Sequence, residues 1–284
     1  MSTSKASKKR VREEKEAELV LVPEKDWKQR KPQGLDEGRI GEEHEDLKER
    51  VTAFFEGNRP WFQRFGKQYP KTAHYNGDHF MYRDHEDVRR LVHICAETML
   101  EQRSHAELRY VASNTAEGCP DSDDVSVAVM RHKGSERVPM EIDPTKTKLV
   151  KPSWGLGAHP DTWAPDGEGL VMMITLGRTD EHHRQFRFSC PVLGYCHTIE
   201  TPPGSIVVFT EDAYDKWEHE SLRTKWQDGT CYSLTVRIKE IDSYYGWSSP
   251  EGMAPSMPRN DLTSVGYAKR MQRKRIREHG LRDA

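Results

Sequence analysis

The pattern of apolar and polar positions predicts mainly β-strands in the second half of the chain. Short apolar runs follow one another there, separated by turn residues and without helical patterns between them. The run from Leu170 to Leu176 is almost continuously apolar, which is typical of a strand buried on both faces. Further strands are predicted at 125–130, 185–189, 196–200, 205–210 and 230–238. This succession favours a mostly β fold, and we expect a double-stranded β-helix, or jelly-roll, core with flanking helices.

Two helices are predicted before this region. Leu47, Val51 and Phe55 recur at helical spacing, and the Gly-Asn-Arg-Pro sequence at 57–60 ends the run. The second helix can be capped by Asp84 or Asp87, and its apolar face is formed by Val88, Leu91, Val92, Cys95, Met99 and Leu100. We expect both helices to pack outside the β core.

Composition divides the chain into three parts. Charged residues make up 32% of the sequence and apolar ones 35%, and the charged excess lies mainly at the two ends. Residues 1–41 are charged and poor in aromatic side chains, so we predict a disordered tail. A single domain is expected over 42–242, with its jelly-roll core at 145–242. A Gly/Pro/Ser-rich and basic tail is expected at 243–284.

Charge and cysteine usage narrow the classes of function. The net charge of −2 says little by itself, but basic clusters occur at 5–15 and 269–275. Such clusters can bind nucleic acid, although they are also common in solvated tails. The five cysteines are odd in number and lack a Cys-x-x-Cys pair, which argues against a disulfide framework and for a reducing compartment. With no apolar run long enough to span a membrane and no signal peptide, we expect a soluble nuclear or cytoplasmic protein.

The most promising candidate chemistry lies at 154–162, where a Gly-rich stretch leads to His159 and Asp161. Side chains two positions apart in an extended strand point to the same face, so these two residues can bind one ion together. A second imidazole, His219, follows well downstream. Two histidines and one carboxylate, with the remaining positions open, form the ligand set of non-haem Fe(II) oxygenases. The His-x-Asp spacing alone is weak, because it also occurs in surface turns.

The last predicted strand has one apolar face and one small, polar and cationic face. Its apolar positions alternate with Cys231, Ser233, Thr235 and Arg237. The guanidinium of Arg237 suits a planar carboxylate, since its fork can donate two parallel hydrogen bonds. The alternative is an edge strand with a solvated polar face.

Taken together, these motifs resemble the Fe(II)/2-oxoglutarate-dependent dioxygenases, most closely the AlkB-like branch that dealkylates nucleic acids. The resemblance runs from Lys148 to Lys239. It is carried by His159-x-Asp161, the strand ending Ile174-Thr175-Leu176-Gly177, Phe186-x-Phe188, Pro203-Gly204-Ser205, His219 and Ser233-x-Thr235-x-Arg237.

The resemblance implies that His159, Asp161 and His219 bind Fe(II). It also implies that the last strand holds 2-oxoglutarate, which is converted to succinate and CO₂ while a C–H bond of the substrate is hydroxylated. The expected substrate is a modified base in DNA or RNA, with a protein side chain as the alternative. Residues expected to contact it are Trp163, His183 and Trp217.

Two departures from the family pattern affect the expected co-substrate site. The family's Arg-x-Asn-x-Thr-x-Arg ending has Cys231 at its first position and Ser233 in place of Asn, so only the last arginine remains. The Asn-x-Tyr pair that precedes His-x-Asp in the family is also missing. A substitute cation could come from Lys148, Lys151 or Arg223. The alternatives are a catalytically silent relative and a jelly-roll module that binds a ligand without turnover.

Overall fold

The computed structural model describes residues 21–57, 73–77, 85–118, 125–133, 136–139, 145–150, 158–160, 169–178, 184–222, 230–238, 276 and 280–281. The predicted tails therefore lie largely outside the described residues, at 1–20 and over most of 243–284.

The helices of the described chain are α1 (Glu45–Gly57), α2 (Glu86–Gln102), α3 (Ala106–Thr115) and α4 (Glu211–Asp215). Its strands are β1 (Lys28–Gln29), β2 (Leu35–Arg39), β3 (Ala73–Gly77), β4 (Val125–Lys133), β5 (Glu136–Pro139), β6 (Thr147–Val150), β7 (Val171–Arg178), β8 (Arg184–Cys190), β9 (Tyr195–Thr201), β10 (Ser205–Phe209), β11 (Glu218–Ser221) and β12 (Thr230–Ile238). The predicted mostly β fold with helices is thus confirmed.

Two main sheets contain most of these strands. One sheet has the order β2-β10-β7-β12-β4-β3 and the other β1-β9-β8-β11, while β5 and β6 form a separate hairpin-like pair. Neighbouring strands pair antiparallel except for β1 and β9, which are parallel. Between β7 and β12 the chain passes repeatedly from one main sheet to the other.

The two main sheets share a core built from the inward-facing positions of their strands. Phe186 and Phe188 of β8 pack in one apolar cluster with Val171 and Met173 of β7 and with Phe209 of β10. The rings of Phe188 and Phe209 meet edge to face, with centroids 5.3 Å apart. Because successive side chains of a strand alternate between faces, these contacts define the inner face of each strand.

The opposite face of the six-stranded sheet is covered by helices. Its apolar cluster joins the buried faces of α1, α2 and α3 to Met172, Ile174 and Leu176 of β7. Phe55 of α1 lies 5.4 Å from Tyr232 of β12, measured between ring centroids. The predicted helices therefore flank the β core as expected. None of the described helices combines the length and the apolar character that crossing a membrane would require.

The N-terminal end of the described chain differs from the predicted disordered tail of residues 1–41. Strand β1 extends the four-stranded sheet beside β9, and β2 extends the six-stranded sheet beside β10. Leu35 and Ile40 are 2% and 5% exposed and join the two apolar clusters. The pairing with β10 satisfies the backbone groups on one side of β2, and with this pairing two apolar anchors suffice to order a highly charged segment.

The helices differ from the sequence prediction in two smaller respects. His85, rather than Asp84 or Asp87, is the N-cap residue of α2, and it makes no side-chain capping bond. Asp87 instead accepts two hydrogen bonds from Arg50 of α1. Helix α3 has no counterpart in the sequence prediction, because its apolar residues are interrupted by Arg109, Tyr110 and Asn114.

Candidate active site

His159 and His219 are brought together although they are far apart in sequence. They form an antiparallel bridge, with hydrogen bonds of 3.1 Å from His159 N to His219 O and 2.8 Å from His219 N to His159 O. Their imidazole centroids are 4.4 Å apart, with an angle of 53° between the ring planes. Imidazole nitrogens that each lie about 2 Å from one metal ion require rings this close. The spacing of the two rings is compatible with both imidazoles binding one ion.

Phenylalanine rings surround the imidazole of His219. Its centroid lies 4.9 Å from that of Phe209 and 5.5 Å from that of Phe186. The His219 side chain is 5% exposed, whereas His159 is half-buried. The aromatic wall keeps water from one side of the imidazole pair, so solvent reaches it from the side of His159.

The third expected metal ligand, Asp161, lies outside the described residues, as do Trp163 and His183. Within the described part of the chain, no group of three or more His, Cys, Asp or Glu side chains is arranged to hold a metal ion. Of the expected ligand set, the structure therefore describes the two histidines.

Trp217, which the sequence predicts to contact a substrate, occupies a packing position in the structure. Its side chain is 1% exposed and belongs to the core between the two main sheets. The indole stacks on Tyr195 with centroids 6.4 Å apart and an interplanar angle of 24°.

The polar face of β12 points into the space between the main sheets. The alternate residues Tyr232, Leu234 and Val236 belong to the helix-side cluster, so the intervening side chains face the other way. The inward-facing residues are Cys231, Ser233, Thr235 and Arg237, and Cys231 and Ser233 are buried. The predicted polarity of this strand is thus observed, and it faces the interior.

The strand register defines the position of Arg237 relative to the histidines. Val171 of β7 pairs with Arg237 on one side and with Phe209 of β10 on the other. Phe209 is also the ring that contacts His219. Arg237 therefore lies near the end of the sheet at which the histidine pair is found, and Cys231 lies toward the opposite end.

Arg184 is a buried cation near Cys231 that the sequence analysis did not identify. Its side chain is 2% exposed, and its Nε donates a hydrogen bond of 2.7 Å to Ser221 Oγ. Both terminal nitrogens, Nη1 and Nη2, are buried without a hydrogen-bond partner in the described structure. Burial lowers the pKa of this guanidinium to about 10, while the nearby Cys231 raises it, so the group remains charged at neutral pH.

The environment of Arg184 contains small polar side chains and a neutral thiol. Burial raises the pKa of Cys231 to about 11, so this thiol supplies no negative charge at neutral pH. Thr175 is fully buried, and its hydroxyl has no hydrogen-bond partner among the described residues. Thr201 donates a 2.9 Å hydrogen bond to the carbonyl of Arg184 and so fixes the start of β8. A buried guanidinium whose two terminal nitrogens have no partner in the described structure suits a small anion.

The sequence suggested three other cations as substitutes for the missing arginine. The side chain of Lys148 and all of Lys151 and Arg223 lie outside the described residues. One signal does point to Arg184 in retrospect. Phe186 and Phe188 lie on the inward face of their strand. Arg184 is two positions before Phe186, so the same alternation predicts that it also faces inward.

Comparisons with known proteins give limited similarities. No protein-family model matches the chain. An isocitrate dehydrogenase [NADP] from Caldococcus noboribetus is 28% identical over 104 residues, which are 37% of this chain and 22% of that protein's length. The chain thus spans less than a quarter of that relative. Among solved structures, a prolyl-4-hydroxylase from Pseudomonas putida has a TM-score of 0.39 at 14% identity, covering 73% of this chain and 92% of its own.

Proposed function

We propose that this protein is an Fe(II)/2-oxoglutarate-dependent dioxygenase. The observation that carries the proposal is the backbone-bridged pair of His159 and His219, whose rings lie 4.4 Å apart. With Asp161, two positions after His159 in the sequence, they would supply the two-histidine, one-carboxylate set that non-haem iron prefers.

The proposed core of the enzyme is a double-stranded β-helix. Its support is the strand order, because successive strands from β7 to β12 are distributed over two facing sheets. The bridge between His159 and His219 adds residue 159 to the free side of β11. In such a core the metal ligands lie on the inner face of one sheet, where the other sheet shields them.

Iron, 2-oxoglutarate and O₂ would supply the oxidising chemistry: one oxygen atom of O₂ would enter succinate as CO₂ leaves, and the other would hydroxylate a substrate C–H bond. The residues of the chain bind and orient these groups. Phe186 and Phe209 exclude water around His219. Inward-facing Ser233, Thr235 and Arg237 offer hydroxyl and guanidinium donors to a carboxylate.

The proposed substrate is a modified nucleic-acid base, which Trp163 and His183 would contact. The basic clusters at 5–15 and 269–275 support this choice, since positive segments bind phosphate backbones without reading their sequence. A protein side chain is the alternative, and the two substrates can be compared in one assay.

The test is succinate release from 2-oxoglutarate by the purified full-length chain with Fe(II) and ascorbate. Methylated oligonucleotides and a mixture of peptides are added in separate reactions. We expect His159→Ala and His219→Ala to abolish both succinate release and Fe(II) binding, because each removes one of the proposed ligands. His44→Ala, outside the site in the turn at Glu42–His44 before α1, serves as the matched control and should retain both properties.

The outcomes separate the alternatives. Stimulation by a methylated oligonucleotide would support the proposed substrate, and stimulation by peptides alone would support a protein hydroxylase. If the wild-type protein binds iron but releases no succinate under any condition, the protein is a silent relative or a binding module. If neither histidine variant affects iron binding, the proposed metal site is wrong.

A further inference from the structure

In the described structure the buried guanidinium of Arg184 has no carboxylate partner, unlike that of Arg187 on the same strand. Arg187, on the same strand but on its outer face, binds both Glu24 and Glu220 and lies over the ring of Trp27. Arg184 is more deeply buried, yet in the described structure it donates only to the uncharged hydroxyl of Ser221. Burying a charge without an anionic partner is strongly unfavourable, so its retention calls for a ligand.

The side chain of Arg184 faces the inner face of β12. Its neighbours Phe186 and Phe188 on β8 point into the core between the sheets, and by alternation Arg184 does too. Arg184 and Cys231 each shift the pKa of the other, which places the two side chains near each other across that space. Cys231 is the position at which the resemblance calls for an arginine. A guanidinium is therefore present near this point, but it comes from the opposite sheet.

We propose that Arg184 binds the distal carboxylate of the co-substrate, so that the anchoring cation is provided by β8 and not by β12. This inference rests on the proposed dioxygenase function and adds to it a residue that positions 2-oxoglutarate. The two free terminal nitrogens match the two oxygens of a carboxylate, which a guanidinium binds with parallel hydrogen bonds. The hydroxyl of Thr175, buried and without a partner in the described structure, is an additional donor on this inner wall.

The distance along β11 is compatible with one ligand that reaches from the histidine pair to Arg184. Ser221, which accepts the bond from Arg184, lies two residues beyond His219 on the same face of the strand. Two strand residues span about 6.6 Å. Four carbon–carbon bonds of about 1.5 Å each give 2-oxoglutarate a comparable reach. A ligand held at the histidines by its 2-oxo acid end can therefore extend its other carboxylate toward Arg184.

The supply of the anchoring cation by β8 and not by β12 also explains why a small, uncharged side chain occupies position 231. A second arginine there would place two guanidinium groups together in the interior, where like charges repel strongly. The buried, uncharged Cys231 avoids this repulsion. A buried arginine at position 184 therefore goes together with an uncharged side chain at position 231.

The experiment measures binding by isothermal titration, with Mn²⁺ in place of Fe(II) so that no turnover occurs. The ligands are 2-oxoglutarate and 2-oxobutyrate, which lacks the distal carboxylate. We expect Arg184→Met to weaken 2-oxoglutarate about 10- to 100-fold and to leave 2-oxobutyrate unchanged. Arg187→Met, the same substitution on the outer face of the same strand, should alter neither affinity.

A double variant tests the spatial exchange directly. Adding Cys231→Arg to Arg184→Met returns a guanidinium to the same space from β12, and it should restore part of the preference for 2-oxoglutarate. If Arg184→Met does not fold, Arg184→Lys decides, because it keeps the charge but loses the fork. We expect that variant to weaken 2-oxoglutarate selectively.

Failure of this inference is distinguishable from failure of the proposed function. If the wild-type protein prefers 2-oxoglutarate and the Arg184 variants retain that preference, Arg184 is not the anchor while the dioxygenase proposal stands. If the wild-type protein binds neither 2-oxo acid in the presence of metal, both proposals are overturned.

Discussion

Gly169, just before β7, leaves no space for a side chain because the ring of Tyr214 packs against it. A Cβ atom at this position would overlap Cε1 and Cζ of the ring. Tyr214 cannot easily move away, because it is 3% exposed and belongs to the core between the main sheets. The glycine is thus required by the packing of α4 against β7.

We expect Gly169→Ala to lower the free energy of unfolding by about 1–3 kcal/mol, as overpacking of a dense core does. Urea denaturation followed by tryptophan fluorescence measures the change. Gly57→Ala is the control, because a Cβ there has no atom within 4 Å and alanine favours the end of a helix. Equal destabilisation of the two variants would contradict the packing argument.

Some residues of the candidate site could be predicted from the sequence pattern, and one could not. His159 and His219 were found because imidazoles at this spacing match a known ligand set, and the structure brings them together. Arg184 was not found, because an arginine at the start of a strand is usually exposed and paired. Its meaning depends on what surrounds it, namely Cys231 from another strand and the absence of a carboxylate partner in the described chain.

At the scale of elements, an ion pair joins the two helices that cover the six-stranded sheet. Arg50 of α1 donates from Nε and Nη2 to the two carboxylate oxygens of Asp87 in α2, both at 2.9 Å. The hydrogen bonds from Arg50 hold the pKa of Asp87 below its usual value of 3.8. Because the pKa of Asp87 is lower in the native state, its carboxylate stabilises the fold fully above the usual pKa. This stabilisation is lost as the pH falls through the pKa of the native state.

We therefore expect a small favourable coupling between Arg50 and Asp87 that is present at neutral pH and decreases below about pH 4. A double-mutant cycle with Arg50→Gln, Asp87→Asn and the combined variant measures it by urea unfolding at pH 7 and at about pH 3. A coupling that is unchanged between these two conditions would show that the carboxylate charge is not its source.

The sequence predicted strands more reliably than the connections between them. The run at β7 was identifiable because it is almost continuously apolar, and β12 because its two faces differ in polarity. By contrast, β2 reads Leu-Asp-Glu-Gly-Arg and carries no β pattern of its own. It becomes a strand because the edge of β10 provides backbone partners and because Leu35 reaches the core. Tertiary context of this kind is absent from local patterns.

At the scale of the whole molecule, residues 21–41 close one side of the two-sheet core. Strand β1 covers the edge of β9 in one sheet and β2 covers the edge of β10 in the other. Gly34, between them, has a φ of +81° and packs against the backbone of Thr210, so a side chain there is excluded. The same segment thus protects both sheets on the side away from β11 and the histidine pair.

Deletion of residues 1–41 should consequently expose two strand edges at once and remove Leu35 and Ile40 from the core. We expect the shortened protein to unfold at lower urea concentration and to associate as its concentration rises, because unpaired edges recruit further strands. Deletion of residues 1–20 leaves every described strand in place and is the control. Urea titration and size-exclusion chromatography with light scattering measure both properties. If the two deletions behave alike, β1 and β2 are dispensable additions, and the edges of β9 and β10 must be protected by their own sequences.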